Sequence, residues 1–174
     1  MLEILKNRRS IRKYKDKKVE DEKIEQLIQA ALLSPTSRNF YSWEFIVVDD
    51  KETIEKLSKA KVSGSAFLKD APLAFVVLGD PQVSDVWVED ASIASIIIQL
   101  VAQSLGLGTC WIQIRKRGHD DKITSEGYVR DLLGIPEGKK VESIISIGYP
   151  DEERPVHKIE DLRFDKVYRN KYGL

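Results

Sequence analysis

Three short segments carry residues whose types and spacing can do chemistry. Asn7–Tyr14 reads NRRSIRKY and sets Arg8, Arg9, Ser10 and Arg12 within five positions. Such a cluster can surround a phosphate, because a guanidinium pairs with it through two parallel hydrogen bonds. The same residues also suit a solvated basic turn. The second segment, Ser34–Phe45, reads SPTSRNFYSWEF and packs hydroxyls, an amide and aromatics between a helix end and a strand. Asn39 there offers donors and acceptors together, which suits a heterocycle edge, although Ser, Pro and Asn are also ordinary turn residues. The third, Gly106–Arg115, reads GLGTCWIQIR. Its two glycines let the backbone turn sharply and approach a flat ligand closely. Trp111 can stack on an aromatic ligand or simply fill the core.

These segments need elements to hold them. Met1–Asn7 can form one or two helical turns before the basic cluster. Ile24, Leu27, Ile28, Ala31 and Leu32 recur at helical spacing, which predicts a helix over 22–33 with Asp21 as its N-cap and Pro35 at its end. Glu44–Val48 reads as a short strand, followed by a helix from Glu52 to about Ala60. The apolar run Leu73–Leu78 predicts a strand buried on both faces. Ser84–Leu105 is the longest helix candidate, at roughly 22 residues or about 33 Å, and it is apolar almost all round from Ile93 to Val101. Such a helix is covered on every side, by its own domain or by a partner. Thr109–Ile114 and Val141–Ile147 read as strands, with a helix over Ser125–Leu133 between them. The last stretch, 151–174, is charged but carries Ile159, Leu162, Phe164, Val167, Tyr168 and Tyr172 at intervals; it reads as an arm that packs on something. The expectation is a single α+β domain over 1–174, with a small sheet between helices.

Composition narrows the function classes. Lys and Arg number 28 and Asp and Glu 28, so the formal net charge is zero. That balance argues against nucleic acid as a partner, which selects a basic excess. The most apolar segment, 91–107, is interrupted by serines and glutamines and is too polar for a membrane span. Cys110 is the only cysteine and the N-terminus lacks the apolar stretch of a signal peptide, which together point to a reducing, cytoplasmic setting. One cysteine with His119 and His157 cannot make a structural zinc site of the usual kind. Asp120–Asp121 and Asp151–Glu153 lack the spacing of a calcium loop, so no metal is expected.

Taken in order, NRRSIRKY, SPTSRNFYSWEFIVV, GLGTCWIQIR, YVRDLLGIPEGKKVESIISIGYP and the ending DKVYRNKYG resemble the FMN-dependent nitroreductase family, in its short-chain branch, across nearly the whole chain. The resemblance implies a nitroreductase-like fold with a mostly antiparallel sheet of four or five strands flanked by helices. It also implies an intertwined homodimer with flavin sites at the subunit interface and 151–174 packed on the partner. Carried over by position, Arg8 and Ser10 would hold the FMN phosphate and ribityl chain with Arg9 beside them, and Arg12 would lie near flavin N1 and O2. Pro35, Thr36, Ser37 and Asn39 would serve the partner's flavin. Trp111 and Ile112 would line the buried face of the ring, and the backbone N–H groups of Gln113 and Ile114 would face N5 and O4. Arg154 is the second phosphate candidate, with Lys158 competing.

The implied activity is ping-pong hydride transfer from NADH or NADPH through flavin N5 to small acceptors such as quinones, nitroaromatics or activated alkenes, with no catalytic side chain required. Two alternatives stand beside it: a non-catalytic FMN-binding or sensing protein, and a dehalogenating or ene-reducing specialist. The sequence departs from the family's pattern where Tyr41-Ser42 replaces a Gln-Pro pair and where Gln113-Ile114 replaces Glu-Gly or Gly-Gly. The short chain also implies a more open pocket than in larger members.

Overall fold

The run Leu73–Gly79 forms the strand on which the rest of the chain is built, and all seven of its residues are buried. In the computed structural model, which describes residues 1–173, the elements follow in the order α1 (Leu2–Asn7), α2 (Asp21–Leu32), β1 (Trp43–Val48), α3 (Lys51–Leu57), β2 (Leu73–Gly79), α4 (Trp87–Ser104), β3 (Gly108–Gln113), α5 (Ser125–Leu133) and β4 (Lys140–Gly148). The four strands make one sheet in the order β1-β2-β4-β3, and every pairing in it is antiparallel. An antiparallel sheet commonly wets one face and then alternates polar with apolar residues. Here helices cover both faces, so β2 is apolar throughout and β4, though it carries Glu142, Ser143 and Ser146, is buried along almost its whole length. This is the α+β sheet that the sequence predicts, at the lower of the two strand counts.

Side chains alternate between two cores. Ala74, Val76, Leu78, Ile112 and Ile144 join Ile54 and Leu57 of α3 and Val129 of α5 on one face. Phe75, Val77, Ile145 and Ile147 join Leu27 and Ala31 of α2 and Ala91, Ile98 and Ala102 of α4 on the other. The outer side of α4 leaves Ile93 and Ile96 exposed in the single chain. No helix among the described residues is long and apolar enough to cross a membrane.

Some boundaries differ from expectation for local reasons. The N-cap of α2 is Glu20 rather than Asp21. α4 begins at Trp87, because Ser84 and Val86 belong to a turn in which Ser84 N–H donates to Asp80 C=O and Val86 N–H to Ser84 Oγ. α3 closes at Leu57, and Lys59 and Ala60 follow with tighter three-residue hydrogen bonds. The segment 151–173 carries only two short turns, Ile159–Asp161 and Phe164–Lys166. It touches the rest of its chain through Asp151 N–H donating to Lys13 C=O at 2.9 Å, Glu152 Oε1 accepting from the Arg12 and Lys13 N–H groups at 2.6 and 3.3 Å, His157 N–H donating to Lys6 C=O at 3.0 Å, and Arg9 donating to Pro155 C=O. Leu174, the end of the expected arm, lies outside the described residues.

Candidate active site

β3 is the edge of the sheet, and the N-terminal segment covers only its beginning. Ser10 bridges Thr109 in parallel, and Ile11 N–H donates to Thr109 C=O at 2.9 Å. The chain then leaves β3: Tyr14 bridges Pro150, and Lys15 N–H donates to Tyr149 C=O. Tyr14 pins this crossing, its buried hydroxyl donating to Ile11 C=O at 2.6 Å and lying 2.7 Å from Ser146 Oγ. Gly108 makes the approach possible, since a Cβ there would stand 2.8 Å from Ile11 Cβ and Cγ1. In an antiparallel ladder alternate residues aim their backbone groups away from the partner strand. Thr109 aims outward, so Trp111 and Gln113 do as well, and past Thr109 that edge is open.

Arg8, Ser10 and Arg12 gather at Cys110 on β3. Burial pushes the Cys110 thiol up, while the Arg12 guanidinium, a hydrogen bond with the Ser10 hydroxyl and the Arg8 guanidinium pull it down. Neither Arg8 nor Arg12 makes an ion pair with a carboxylate among the described residues. Arg12 instead lies 5.7 Å from the centre of the Phe67 ring. Lys61 adds positive charge nearby, its amine pushed down by burial first and by Arg117 second. Val62 N–H donates to Gly118 C=O at 3.3 Å and ties the loops of Lys61 and Arg117 together. Phe67, Lys61 and Arg117 were not among the candidates from sequence, since nothing in their local pattern marks them.

The remaining candidates divide. Arg9 and Arg154 line a separate cavity of about 180 Å³ with Asn7, Gln103 and Glu152. Arg154 is held there by Glu152 at 2.6 Å, and Lys158 pairs with Glu160 at 3.4 Å. The Ile112 and Ile114 side chains are buried in the core towards α3 and α5, so Ile112 offers an outside ligand no side chain. The Ile114 N–H donates to Glu142 C=O at 3.2 Å, which corrects the expectation that it faces a cofactor. Trp111 is half-buried against the α4-side core, on the strand face opposite Cys110, and its indole N–H donates to Gln113 Oε1 at 2.9 Å.

The loop 34–42 is anchored on Asp90, a carboxylate 3% exposed near the start of α4. Asp90 accepts from Thr36 Oγ1 at 3.1 Å, Ser37 N–H at 3.0 Å and Ser42 Oγ at 2.9 Å. Thr36 Oγ1 also accepts from Tyr41 N–H at 3.0 Å, so that hydroxyl is engaged within its own chain. Arg38, Asn39 and Tyr41 all take positive φ, between 51° and 56°, a region that side chains other than glycine rarely adopt. The strain presents exposed Pro35, Asn39 and Phe40 outward. Asp90 was missed in the sequence, although an acid inside an otherwise apolar helix is a legible signal.

An open strand edge with outward N–H groups, flanked by an aromatic ring and by guanidinium groups that have no carboxylate partner among the described residues, can hold a flat, phosphate-bearing ligand. Comparison with known proteins gives the family. The Nitroreductase family matches over residues 5–64 and 59–149. A protein of Archaeoglobus fulgidus, whose assigned name is NADH dehydrogenase/NAD(P)H nitroreductase, is 40% identical over 98% of each chain. The FMN reductase [NAD(P)H] of Bacillus subtilis is 26% identical over all of this chain and 76% of its own. Among solved structures, an FMN-dependent nitroreductase of Clostridium difficile superposes with a TM-score of 0.97 at 52% identity, covering 99% of this chain and 100% of its own. The chain belongs to the nitroreductase family.

Proposed function

We propose that this protein is an FMN-dependent NAD(P)H oxidoreductase that acts as a homodimer and passes electron pairs to small acceptors. The observation that carries this reading is the gathering of Arg8, Ser10 and Arg12 beside the open edge of β3, with neither guanidinium paired to a carboxylate among the described residues. Those residues fit FMN: Arg8 and Ser10 suit its phosphate and ribityl hydroxyls, and Arg12 with Phe67 suits the pyrimidine end of the ring. FMN, when bound, would supply the hydride-transfer chemistry between nicotinamide and acceptor.

The chain's own residues then bind, orient and tune. The Gln113 N–H, outward on the open edge of β3, would be free to donate to the flavin ring, and the Trp111 and Ile112 positions would offer backbone alongside it. Positive charge from Arg12 stabilises the electron-rich form of the ring, and Lys61 with Arg117 extends that field. Arg9 and Arg154, in their own cavity, guard the phosphate side rather than the ring. Quinones, nitroaromatics and activated alkenes fit as acceptors, since each takes a hydride equivalent without needing a side-chain acid.

The dimer is supported by what the single chain leaves uncovered. Leu2, Ile93, Ile96, Phe164 and Val167 are exposed, and an apolar groove of about 460 Å³ runs between α2 and β1, lined by Ile28, Leu32, Trp43 and Phe45. Residues 151–174 of a second copy cover such surfaces, and Pro35, Ser37 and Asn39 reach the partner's flavin. Buried Cys110 and the lack of a disulfide partner favour the cytoplasm.

The test is the visible spectrum of purified protein before and after NADH without oxygen, with sedimentation alongside. Oxidised-flavin bands that bleach support the reading. Flavin bands that stay leave a binding or sensing role, and protein that takes up no FMN defeats the proposal. A monomer that binds FMN tightly defeats the dimer.

A further inference from the structure

Glu142 is the third residue of β4, yet it is 4% exposed and its Oε2 has no hydrogen-bond partner among the described residues. The nearest cation, Arg115, places Nε 3.8 Å from Oε2. A carboxylate so placed opposes folding, because one of its oxygens has left water without a replacement. Its placement is specific. Val77 pairs with Ser143 and Leu78 with Val141, so Glu142 is the extra residue of a β-bulge. Bulges re-aim side chains and occur next to active sites. Ser143 meets α4, with its Oγ 3.2 Å from Ser95 Oγ, and Glu142 turns instead to the end of β3.

There it holds the Gln113 amide. Gln113 Nε2 donates to Glu142 Oε1 at 3.3 Å and to Arg115 C=O at 3.2 Å, while Gln113 Oε1 accepts the Trp111 indole N–H at 2.9 Å. A reversed amide would set its NH2 against the indole N–H and its oxygen against the carboxylate, so the network permits one orientation. The Glu142 carbonyl also accepts from the N–H groups of Ile114 and Arg115. Glu142 therefore grips β3 by main chain and side chain, opposite the edge where Trp111 and Gln113 face outward.

We propose that Glu142 is a positioning residue: through Gln113 and Trp111 it fixes the open edge of β3 and so sets the electron affinity of the flavin bound there. This rests on the flavin reading above. The charged groups facing Glu142 are Arg115 two residues past β3, Glu126 in the first turn of α5 and Glu89 in the first turn of α4; Lys140 lies 3.6 Å from Glu126. Burial holds the Glu142 carboxyl above the usual carboxylate range, against the pull of Gln113 and Arg115. Glu142→Gln keeps an acceptor for the Gln113 amide, and Glu142→Leu removes it.

The experiment compares FMN-loaded wild-type protein with Glu142→Leu, Glu142→Gln, Gln113→Leu and the double variant E142L/Q113L. It reads the midpoint potential of bound FMN and the rate of its reduction by NADH. Glu142→Leu should displace the potential and slow reduction about tenfold, the weight of one hydrogen bond to a charged group. Glu142→Gln should return both to within about twofold. Gln113→Leu should reproduce the loss, and the double variant should be no worse than either, because the two act as one unit. Glu142→Leu with FMN bound and a wild-type potential overturns the proposal, and so do additive effects in the double variant. If Glu142→Leu does not fold, Gln113→Leu decides alone: a displaced potential supports the proposal and an unchanged one overturns it. Wild-type protein that binds no FMN overturns the flavin reading first and this proposal with it.

Discussion

Replacing Asp90 by alanine removes the acceptor on which the 34–42 loop hangs. Three donors converge on that carboxylate at 2.9–3.1 Å, from Thr36, Ser37 and Ser42. Hydrogen bonds to a charged group contribute about 1.5–3 kcal/mol each, which bounds the loss at roughly 9 kcal/mol. The bound is not reached. Thr36 and Ser37 are half-exposed and rehydrate when freed, whereas Ser42 is 1% exposed and stays dry. Strain at Arg38, Asn39 and Tyr41 also relaxes once the loop is released, returning about 1–3 kcal/mol per residue at most. A net cost of about 3–5 kcal/mol remains, the usual size for breaking a buried polar network. For a chain of 174 residues, about 2–4 °C of melting temperature goes with each kcal/mol, so Asp90→Ala should melt roughly 10 °C lower. Asp90→Asn keeps the oxygen that accepts Ser37 N–H, and the two hydroxyls can turn to face the new NH2, so it should lose about 1–2 kcal/mol. Calorimetric melts of both variants, with FMN titrations on each, give the order. A melt of Asp90→Ala within two degrees of wild type, or Asp90→Asn worse than Asp90→Ala, refutes the reasoning.

Arg8→Ala should leave the fold intact and raise the FMN dissociation constant about 10- to 100-fold, measured by quenching of flavin fluorescence, since it deletes one charge-assisted contact. Gly108→Ala puts a methyl 2.8 Å from Ile11; it should cost about 1–3 kcal/mol by overpacking and weaken FMN binding by pushing Ser10 off β3, with melts and titrations as the check. Glu142 gives a pH signature. Its folded pKa is raised by burial, so the folded state holds the proton longer than the unfolded chain. Its contribution is fully present below the ordinary carboxylate pKa of about 4.3 and is lost as pH rises from there through the folded value. Denaturant midpoints of wild type minus Glu142→Gln should therefore fall as pH rises across that window, and a flat difference counts against the burial argument.

The fold was legible in the sequence wherever a pattern was local. The run Leu73–Leu78 had to be a covered strand, and the all-round apolar stretch from Ile93 had to be a helix with more than one neighbour. Pro35, Gly134 and Pro136 marked ends that the chain observes. The boundaries that moved are those set by turn hydrogen bonds, such as Ser84 and Val86 before α4, which no periodicity reveals. The site was legible in part for the same reason. Arg8, Ser10 and Arg12 share a side because an extended segment alternates, and that alternation separates Arg9 from them.

What stayed hidden depends on register. Whether Ile114 or Gln113 aims its N–H outward follows from which residue of β3 lies opposite which of β4, a regular register in which Gln113 lies opposite Ser143. A single-residue slip would exchange the roles of the two N–H groups. The bulge, in the pairing of β4 with β2, adds to that register: it turns a buried acid onto the Gln113 side chain, while the ladder leaves the Gln113 N–H outward and the Ile114 N–H on the Glu142 carbonyl. Glutamate as the second residue of VESIISI reads as a misfit in a buried strand, and the misfit is the trace that such a device leaves in sequence. An acid in an apolar element marked Asp90 in the same way, and in both cases the charged side chain holds a segment that its neighbours alone would leave free.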